Sequence, residues 1–124
     1  MKTEAMLPDP AQALQFFTDK MAFTTGPIEV NHQIEAGDEI NIIDVRKTED
    51  YGKAHVPGAK NLPENLWSNT SLLRRDCLNV LYCYSSTCHL AAKAAVNFAG
   101  KGFSVMEMDG GFEAWEKNDL PLKK

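Results

Sequence analysis

Long hydrophobic runs are missing from this chain of 124 residues. No stretch approaches the roughly 20 apolar residues of a membrane-spanning helix, and the opening MKTEAMLPDP lacks the apolar region of a secretory signal. Internal repeats, low-complexity tracts and linkers are also missing. We therefore expect one cytoplasmic domain with no membrane partner.

Positive charge is scarce as well. The chain has 13 lysines and arginines against 17 aspartates and glutamates, with a net charge of −4 and a pI near 5.3. Basic residues are adjacent only at Arg46-Lys47, Arg74-Arg75 and Lys123-Lys124. Proteins that bind nucleic acid usually present a basic surface, so we expect no nucleic-acid partner.

Cysteine is rare, and the three present are Cys77, Cys83 and Cys88. Without an export signal they are expected to be free thiols rather than a disulfide framework. A zinc site formed by them with His89 lacks the paired ligand spacing of such sites. We expect no metal and no other cofactor.

The N-terminal segment has the pattern of a helix. Asp9 is a candidate N-cap before a proline, and Leu14, Phe17 and Met21 recur at helical spacing. We expect residues 1–27 to form a helical extension that packs on the main body.

Strand and helix patterns alternate through the remainder, 28–124, which we expect to be one globular unit. Apolar runs at 41–45, 79–83 and 103–109 suit buried strands, and a shorter strand is expected near 59–62. The strand at 79–83 is followed by an apolar stripe at helical period that starts at Thr87. This order favours an α/β fold with a parallel sheet and helices on both faces.

Cys83 lies at the carboxyl end of a predicted strand, where open α/β sheets bind ligands. The loop that follows can turn its backbone N–H groups inward as an anion cradle, and Ser85, Ser86 and Thr87 add hydroxyl donors. With a helix N-terminus close by, the pKa of Cys83 is expected to fall below its reference of about 8.5. The alternative is a buried cysteine that serves only as a small apolar residue.

Three separated segments resemble the rhodanese-like domain, in its single-domain sulfurtransferase type. They are DVRKTEDYGKAHVPGAKNL at 44–62, the loop after Cys83, and MDGGFEAWEKNDLP at 108–121. The resemblance covers roughly residues 28–122, and Ala54 departs from it because the family usually has glycine there.

The resemblance implies a parallel five-stranded sheet and a ping-pong reaction. Cys83 would take sulfane sulfur from a donor, hold it as a persulfide and pass it to a thiophilic acceptor. The expected partners are a small-molecule or protein-bound sulfur donor and a thiol acceptor, and the chain is expected to be a monomer or weak homodimer.

The donor is expected to contact the cysteine loop and one arginine. We assign substrate binding to Arg46 and to the loop residues Tyr84, Ser85, Ser86, Thr87 and Cys88. Arg46 could instead pair with an acidic neighbour such as Glu49. Asp44, at a strand end, could orient the active-site loops or only cap the next helical turn.

The loop departs from the family because it has neither a glycine nor a cation. Without a charge-assisted contact worth about 1.5 to 3 kcal/mol, thiosulfate is expected to be a poor donor and a persulfide a better one. His89 stands where the related phosphatases need an arginine, so a phosphatase is disfavoured. A non-catalytic module for partner binding or redox sensing remains the alternative.

Cys88 has two interpretations. It is either a small residue that closes the loop or a resolving thiol that attacks the persulfide or a sulfenic acid on Cys83.

Overall fold

A computed structural model describes residues 7–124 of the chain. The helices and strands alternate along most of it. In chain order they are α1 (Pro10–Phe23), β1 (Thr24–Thr25), α2 (Pro27–Glu35), β2 (Ile40–Asp44), α3 (Thr48–Lys53), β3 (Lys60–Asn61), a 3₁₀ turn (Glu64–Leu66), β4 (Leu78–Tyr82), α4 (Leu90–Gly100), β5 (Val105–Met108) and α5 (Gly111–Lys117).

The five strands form one parallel sheet in the order β1-β5-β4-β2-β3. The central strands β2 and β4 pair along their whole lengths, from Ile40 opposite Leu78 to Asp44 opposite Tyr82. Their carboxyl ends therefore lie side by side. The predicted parallel five-stranded α/β fold is confirmed.

Alternate residues of the central strands face opposite sides of the sheet, as the two-residue period of a strand requires. Ile42 and Val80 pack with α2 and α5, whereas Ile43 and Leu81 pack with α4. The predicted helices on both faces are confirmed. Cys83 comes two residues after Leu81 and faces the same side of the sheet, so its side chain packs with α4.

The edge strand β1 was not predicted, because two threonines give no periodic pattern. Thr24 and Thr25 pair with Glu107 and Met108 of β5. The sheet therefore begins inside residues 1–27, which we had assigned to the extension.

Helix α1 begins as predicted, with Asp9 as its N-cap and an Asp9 carboxylate oxygen accepting the Gln12 N–H at 3.3 Å. The expected packing of its apolar stripe is not observed. Leu14, Phe17 and Met21 are 71%, 57% and 78% exposed, and the main contacts of the helix with the body are at β1 and β5. Within residues 7–124, no helix combines the length and the apolar character needed to cross a bilayer.

Candidate active site

Cys83 follows the last residue of β4 and is almost fully buried, with 2% exposure. Its side chain lies among apolar residues under α4, including Ala91. The strand end therefore presents a thiol to the interior of the loop rather than to open solvent.

The loop after Cys83 closes on itself through a turn. The Cys88 N–H donates to the Ser85 carbonyl at 3.1 Å, and the Ser85 and Thr87 hydroxyl oxygens lie 3.1 Å apart. Ser86 and Thr87 are exposed. The turn delays the start of α4, which begins at Leu90 rather than at Thr87.

The N-terminus of α5 holds this loop from the other side. The Phe112 and Glu113 N–H groups donate to the carbonyls of Cys83 and Tyr84 at 2.8 and 2.9 Å. Gly111 has a φ of +60°, and a Cβ placed there would lie 2.7 Å from the Cys83 carbonyl oxygen. Glycine is therefore required for this close approach. Sequence analysis gave Gly111 no role at the site, although the Gly110-Gly111 pair stood in the third segment of the resemblance.

The loop brings the thiols of Cys83 and Cys88 together. The Cys83 thiol donates to the Cys88 carbonyl oxygen at 3.5 Å, and the Cys88 side chain packs against the apolar cluster that contains Cys83. Cys88 is only half-buried, so it stands between Cys83 and solvent. Cys77 precedes β4 and therefore lies at the opposite end of that strand.

The expected low pKa of Cys83 is wrong. Burial first, and then the hydrogen bond with Cys88, raise the pKa of Cys83 to about 11, and the N–H groups of Ala91 and Tyr84 oppose this only in part. Burial also acts to raise the pKa of Cys88, but the hydrogen bond from Cys83 and the N–H groups of Leu90 and Tyr84 outweigh it and lower that pKa. The single negative charge that the pair first acquires is therefore centred on Cys88.

The anion cradle is built differently from the prediction. Its donors are the N–H groups of Tyr84, Leu90 and Ala91, which face the two sulfur atoms. The Cys88 N–H was expected to contribute but is used inside the turn, by Ser85. The cradle thus combines the beginning of the loop with the first turn of α4.

Asp44 and Arg46 form a buried ion pair behind the loop. The Arg46 Nη2 lies 2.7 Å from Asp44 Oδ2 and also donates to the Ala54 carbonyl at 2.7 Å. Burial acts to lower the pKa of Arg46, but the hydrogen bonds and charge of Asp44 raise it. Arg46 therefore pairs with Asp44 rather than with Glu49.

Sequence analysis missed Tyr82 as a member of this network. Its hydroxyl donates to Asp44 Oδ2 at 2.6 Å and accepts the Val56 N–H at 3.1 Å. Burial and the neighbouring Asp44 raise the pKa of Tyr82, so it remains a neutral donor. Asp44 thus fixes the end of β4, immediately before Cys83, through the Tyr82 side chain, and its Oδ1 also accepts the Arg46 backbone N–H of the loop after β2 at 2.9 Å.

A cleft of about 490 Å³ opens on the α5 side of the loop. Tyr84 and Ser85 line it, and the Tyr84 hydroxyl donates to an Asp50 carboxylate oxygen and accepts the Lys47 N–H. Cys83 does not line the cleft, because its side chain points to the α4 layer.

The charge of this cleft is mainly negative. Its ionisable residues are Asp50, Glu113 and Glu116 against Arg46 and Lys53, and Arg46 is already neutralised by its ion pair. Across residues 7–124, histidine, cysteine and acidic side chains nowhere gather in threes that could hold a metal ion.

Comparison with known proteins places this geometry in context. A family model described as "Rhodanese-like domain" matches residues 27–118. The crystal structure of the BH2092 protein from Bacillus halodurans superposes with a TM-score of 0.85 and 32% identity, over 93% of this chain and 86% of that one.

Two curated relatives are also similar. An HTH-type transcriptional regulator of Mycobacterium tuberculosis is 34% identical over 95 residues, which are 76% of this chain and 42% of the regulator. A thiosulfate sulfurtransferase of Pseudomonas putida is 31% identical over 78 residues, which are 60% of this chain and 67% of the relative. The chain thus spans less than half the length of the M. tuberculosis relative.

Proposed function

Because this chain belongs to the rhodanese-like domain family, we propose that it is a sulfurtransferase that carries sulfane sulfur as a persulfide of Cys83. The observation that carries this proposal is the position of Cys83, at the carboxyl end of β4, with N–H groups of Tyr84 and Ala91 directed at its sulfur. The name of the P. putida relative supports the same reaction class.

The reaction begins with a proton transfer between the paired thiols. The Cys83 proton moves to the Cys88 thiolate, and the Cys83 thiolate attacks the sulfane sulfur of the donor. The new S–S bond to Cys83 forms as the bond to the donor thiolate breaks, and Cys88 can return the proton to that leaving thiolate. An acceptor thiolate then attacks the outer sulfur and releases Cys83.

The loop and cleft favour a persulfide over thiosulfate as the donor. The loop residues from Tyr84 to Cys88 include no cation, and the neighbouring cleft carries the three carboxylates of Asp50, Glu113 and Glu116. Thiosulfate is a dianion, so this negative field would repel it and no cation of the loop would offset the repulsion. A persulfide donor brings less negative charge to the site. Arg46 contributes to the cleft wall rather than acting as a free anion-binding arginine.

A non-catalytic redox-sensing module is the second candidate. The contact between Cys83 and Cys88 favours it, because paired thiols respond to oxidants whether or not sulfur is transferred. The name of the M. tuberculosis relative, a transcriptional regulator, is compatible with such a role.

Mass spectrometry of the intact and digested protein distinguishes the two functions. Incubation with a small persulfide, followed by an acid quench, should add one sulfur atom to the peptide that contains Cys83. Cys83→Ser should abolish this gain, and Cys77→Ser should retain it. Failure of every donor to add sulfur at Cys83, in wild type and in Cys88→Ser alike, would leave the sensing module as the function.

A further inference from the structure

The paired thiols allow a second reaction that a sulfur carrier does not require. Cys83 Sγ lies 3.5 Å from the Cys88 carbonyl oxygen, and the Cys88 side chain packs against the cluster that contains Cys83. The outer sulfur of a Cys83 persulfide would therefore be placed beside a second cysteine of the same loop. Ser85, Ser86 and Thr87 offer only hydroxyl groups, which are poor nucleophiles toward sulfur.

The fold holds the two cysteines in this arrangement from both ends of the loop. The turn that joins Ser85 to Cys88 folds Cys88 back, while α5 anchors the carbonyls of Cys83 and Tyr84. Disulfides require Cα atoms within about 7 Å and side chains that face each other. The 3.5 Å contact of the Cys83 thiol with the Cys88 carbonyl oxygen places the two residues within reach of this geometry.

We propose that Cys88 attacks the Cys83 sulfur of the persulfide, so that the outer sulfur leaves as hydrosulfide and a Cys83–Cys88 disulfide remains. This inference rests on the proposed persulfide. The bond between the two cysteine sulfurs forms as the bond from Cys83 to the outer sulfur breaks. The outer sulfur leaves with that electron pair and with the persulfide proton.

The electrons and the return step also balance. The two cysteines lose two electrons and end as one disulfide, and the outer sulfur gains the same two as hydrosulfide. An external dithiol then opens the Cys83–Cys88 disulfide by exchange, is itself oxidised to a disulfide, and restores both thiols. The net activity is reduction of sulfane sulfur to hydrosulfide at the expense of a dithiol.

The environment of Cys88 suits the attacking role. Burial acts to raise the pKa of Cys88, whereas the N–H groups of Leu90 and Tyr84 act to lower it; these N–H groups remain in place when Cys83 carries sulfur and favour the attacking thiolate. Cys88 is also more exposed than Cys83. An external dithiol would therefore reach the Cys88 sulfur first when it opens the disulfide.

The test is a single loading reaction without any thiol acceptor, under anaerobic conditions. Wild type, Cys88→Ser and Cys77→Ser are mixed with a small alkyl persulfide, the excess is removed by rapid desalting, and samples are quenched in acid over time. Hydrosulfide is measured with a sulfide-specific probe, and the masses of the intact chain and its peptides are recorded. A donor-free sample of each protein controls for disulfides formed by stray oxidation.

Wild type should release hydrosulfide. Its mass should change from that of the chain with one added sulfur to a value two hydrogens below that of the reduced chain. The peptide masses should show a disulfide between Cys83 and Cys88. Cys77→Ser should do the same. Cys88→Ser loses the proton acceptor for Cys83 but also the contact that raises the pKa of Cys83, so it should still gain sulfur on Cys83. It should keep that sulfur roughly tenfold longer or more, since it lacks the intramolecular attack. Addition of a dithiol should return wild type to its reduced mass.

The two proposals fail in different ways. If wild type and Cys88→Ser both gain sulfur and hold it equally long without releasing hydrosulfide, the attack by Cys88 is disproved and the transferase stands. If neither protein gains sulfur and neither releases hydrosulfide, the persulfide itself is disproved, and the inference falls with it.

Discussion

At the scale of single residues, Cys83 and Cys88 belong to one short loop but have different environments. Cys83 is buried under α4 and donates its proton, whereas Cys88 is half-buried and receives N–H bonds from Leu90 and Tyr84. The reactivity of each thiol therefore depends on the other. A loop with only one of them would have a different acid-base behaviour.

Cys88→Ser should lower the pKa of Cys83. Burial, the hydrogen bond and the charge of Cys88 all raise that pKa to about 11 in the wild type, and the substitution removes the latter two causes. A lower pKa increases the thiolate fraction at a fixed pH below it, by roughly tenfold per unit. Alkylation of Cys83 by iodoacetamide should therefore become faster near neutral pH, and its pH profile should shift to lower pH.

The profile is read from the mass of the Cys83 peptide, with Cys77→Ser as the control that should leave it unchanged. An unchanged or higher pKa in Cys88→Ser would show that the two thiols are not coupled.

Sequence reasoning placed Cys83 correctly at the carboxyl end of a strand but misjudged its ionisation. The strand and its carboxyl end followed from a short apolar run, which depends on local pattern alone. The burial of the thiol and the hydrogen bond with Cys88 depend on how α4 and the turn fold back over the loop. Tyr82 was missed for the same reason, since its partners Asp44 and Val56 are distant in sequence.

At the scale of elements, α5 supports the cysteine loop. Its first turn supplies N–H groups to the carbonyls of Cys83 and Tyr84, and Gly111 permits the close approach. The third segment of the resemblance therefore has a physical role at the site, because it shapes the loop that carries the nucleophile.

Gly111→Ala should destabilise the protein more than Gly37→Ala does. Both glycines have positive φ, +60° and +73°, so an alanine at either pays the left-handed backbone cost of roughly 1–2 kcal/mol. Only at Gly111 would the new Cβ also meet the backbone of Cys83 and Ser85, for about 1–3 kcal/mol more. Gly37 has nothing within 4 Å of that position.

Urea unfolding of both variants gives their free energies of unfolding. The amount of sulfur that each variant gains at Cys83 from a persulfide shows whether the cysteine loop keeps its shape. Gly37→Ala should load like wild type and Gly111→Ala should load poorly. Equal stabilities and equal loading would show that the loop can move away from α5 at little cost.

The elements most open to prediction were those with a strong local period. Strands β2 and β4 are short and mostly apolar, and α1 has an N-cap aspartate followed by a proline. The two-residue strand β1 and the late start of α4 were not predicted. Both are set by contacts, with β5 in the first case and with the Ser85–Cys88 turn in the second.

At the scale of the whole molecule, the core and the N-terminal helix contribute very differently to stability. Two apolar clusters lie on the two faces of the sheet, one with Phe98 and the other with Trp115 at their centres. By contrast, no residue of α1 is buried. The sequence pattern of α1 indicated helix correctly, but periodicity does not specify what a helix packs against.

A matched pair of substitutions tests this contrast. Phe98→Ala should lower the free energy of unfolding by about 3–5 kcal/mol, because Phe98 is fully buried. Phe17→Ala should change it by no more than about 0.5 kcal/mol, because Phe17 is 57% exposed. Thermal and urea unfolding at low protein concentration give both values. A loss of several kcal/mol for Phe17→Ala would mean that α1 packs on the domain in solution.

The bonds from α5 to the cysteine loop make that helix a reporter of the loop's state. The first amides of an isolated helix have no intrahelical partner and exchange their protons with water quickly. Here the Phe112 and Glu113 amides are protected by carbonyls of the loop, so their deuterium uptake follows the opening of the loop and not of the helix. Amide exchange at two positions near the C-terminus would therefore report the opening of the cysteine loop, without any probe attached to the thiol.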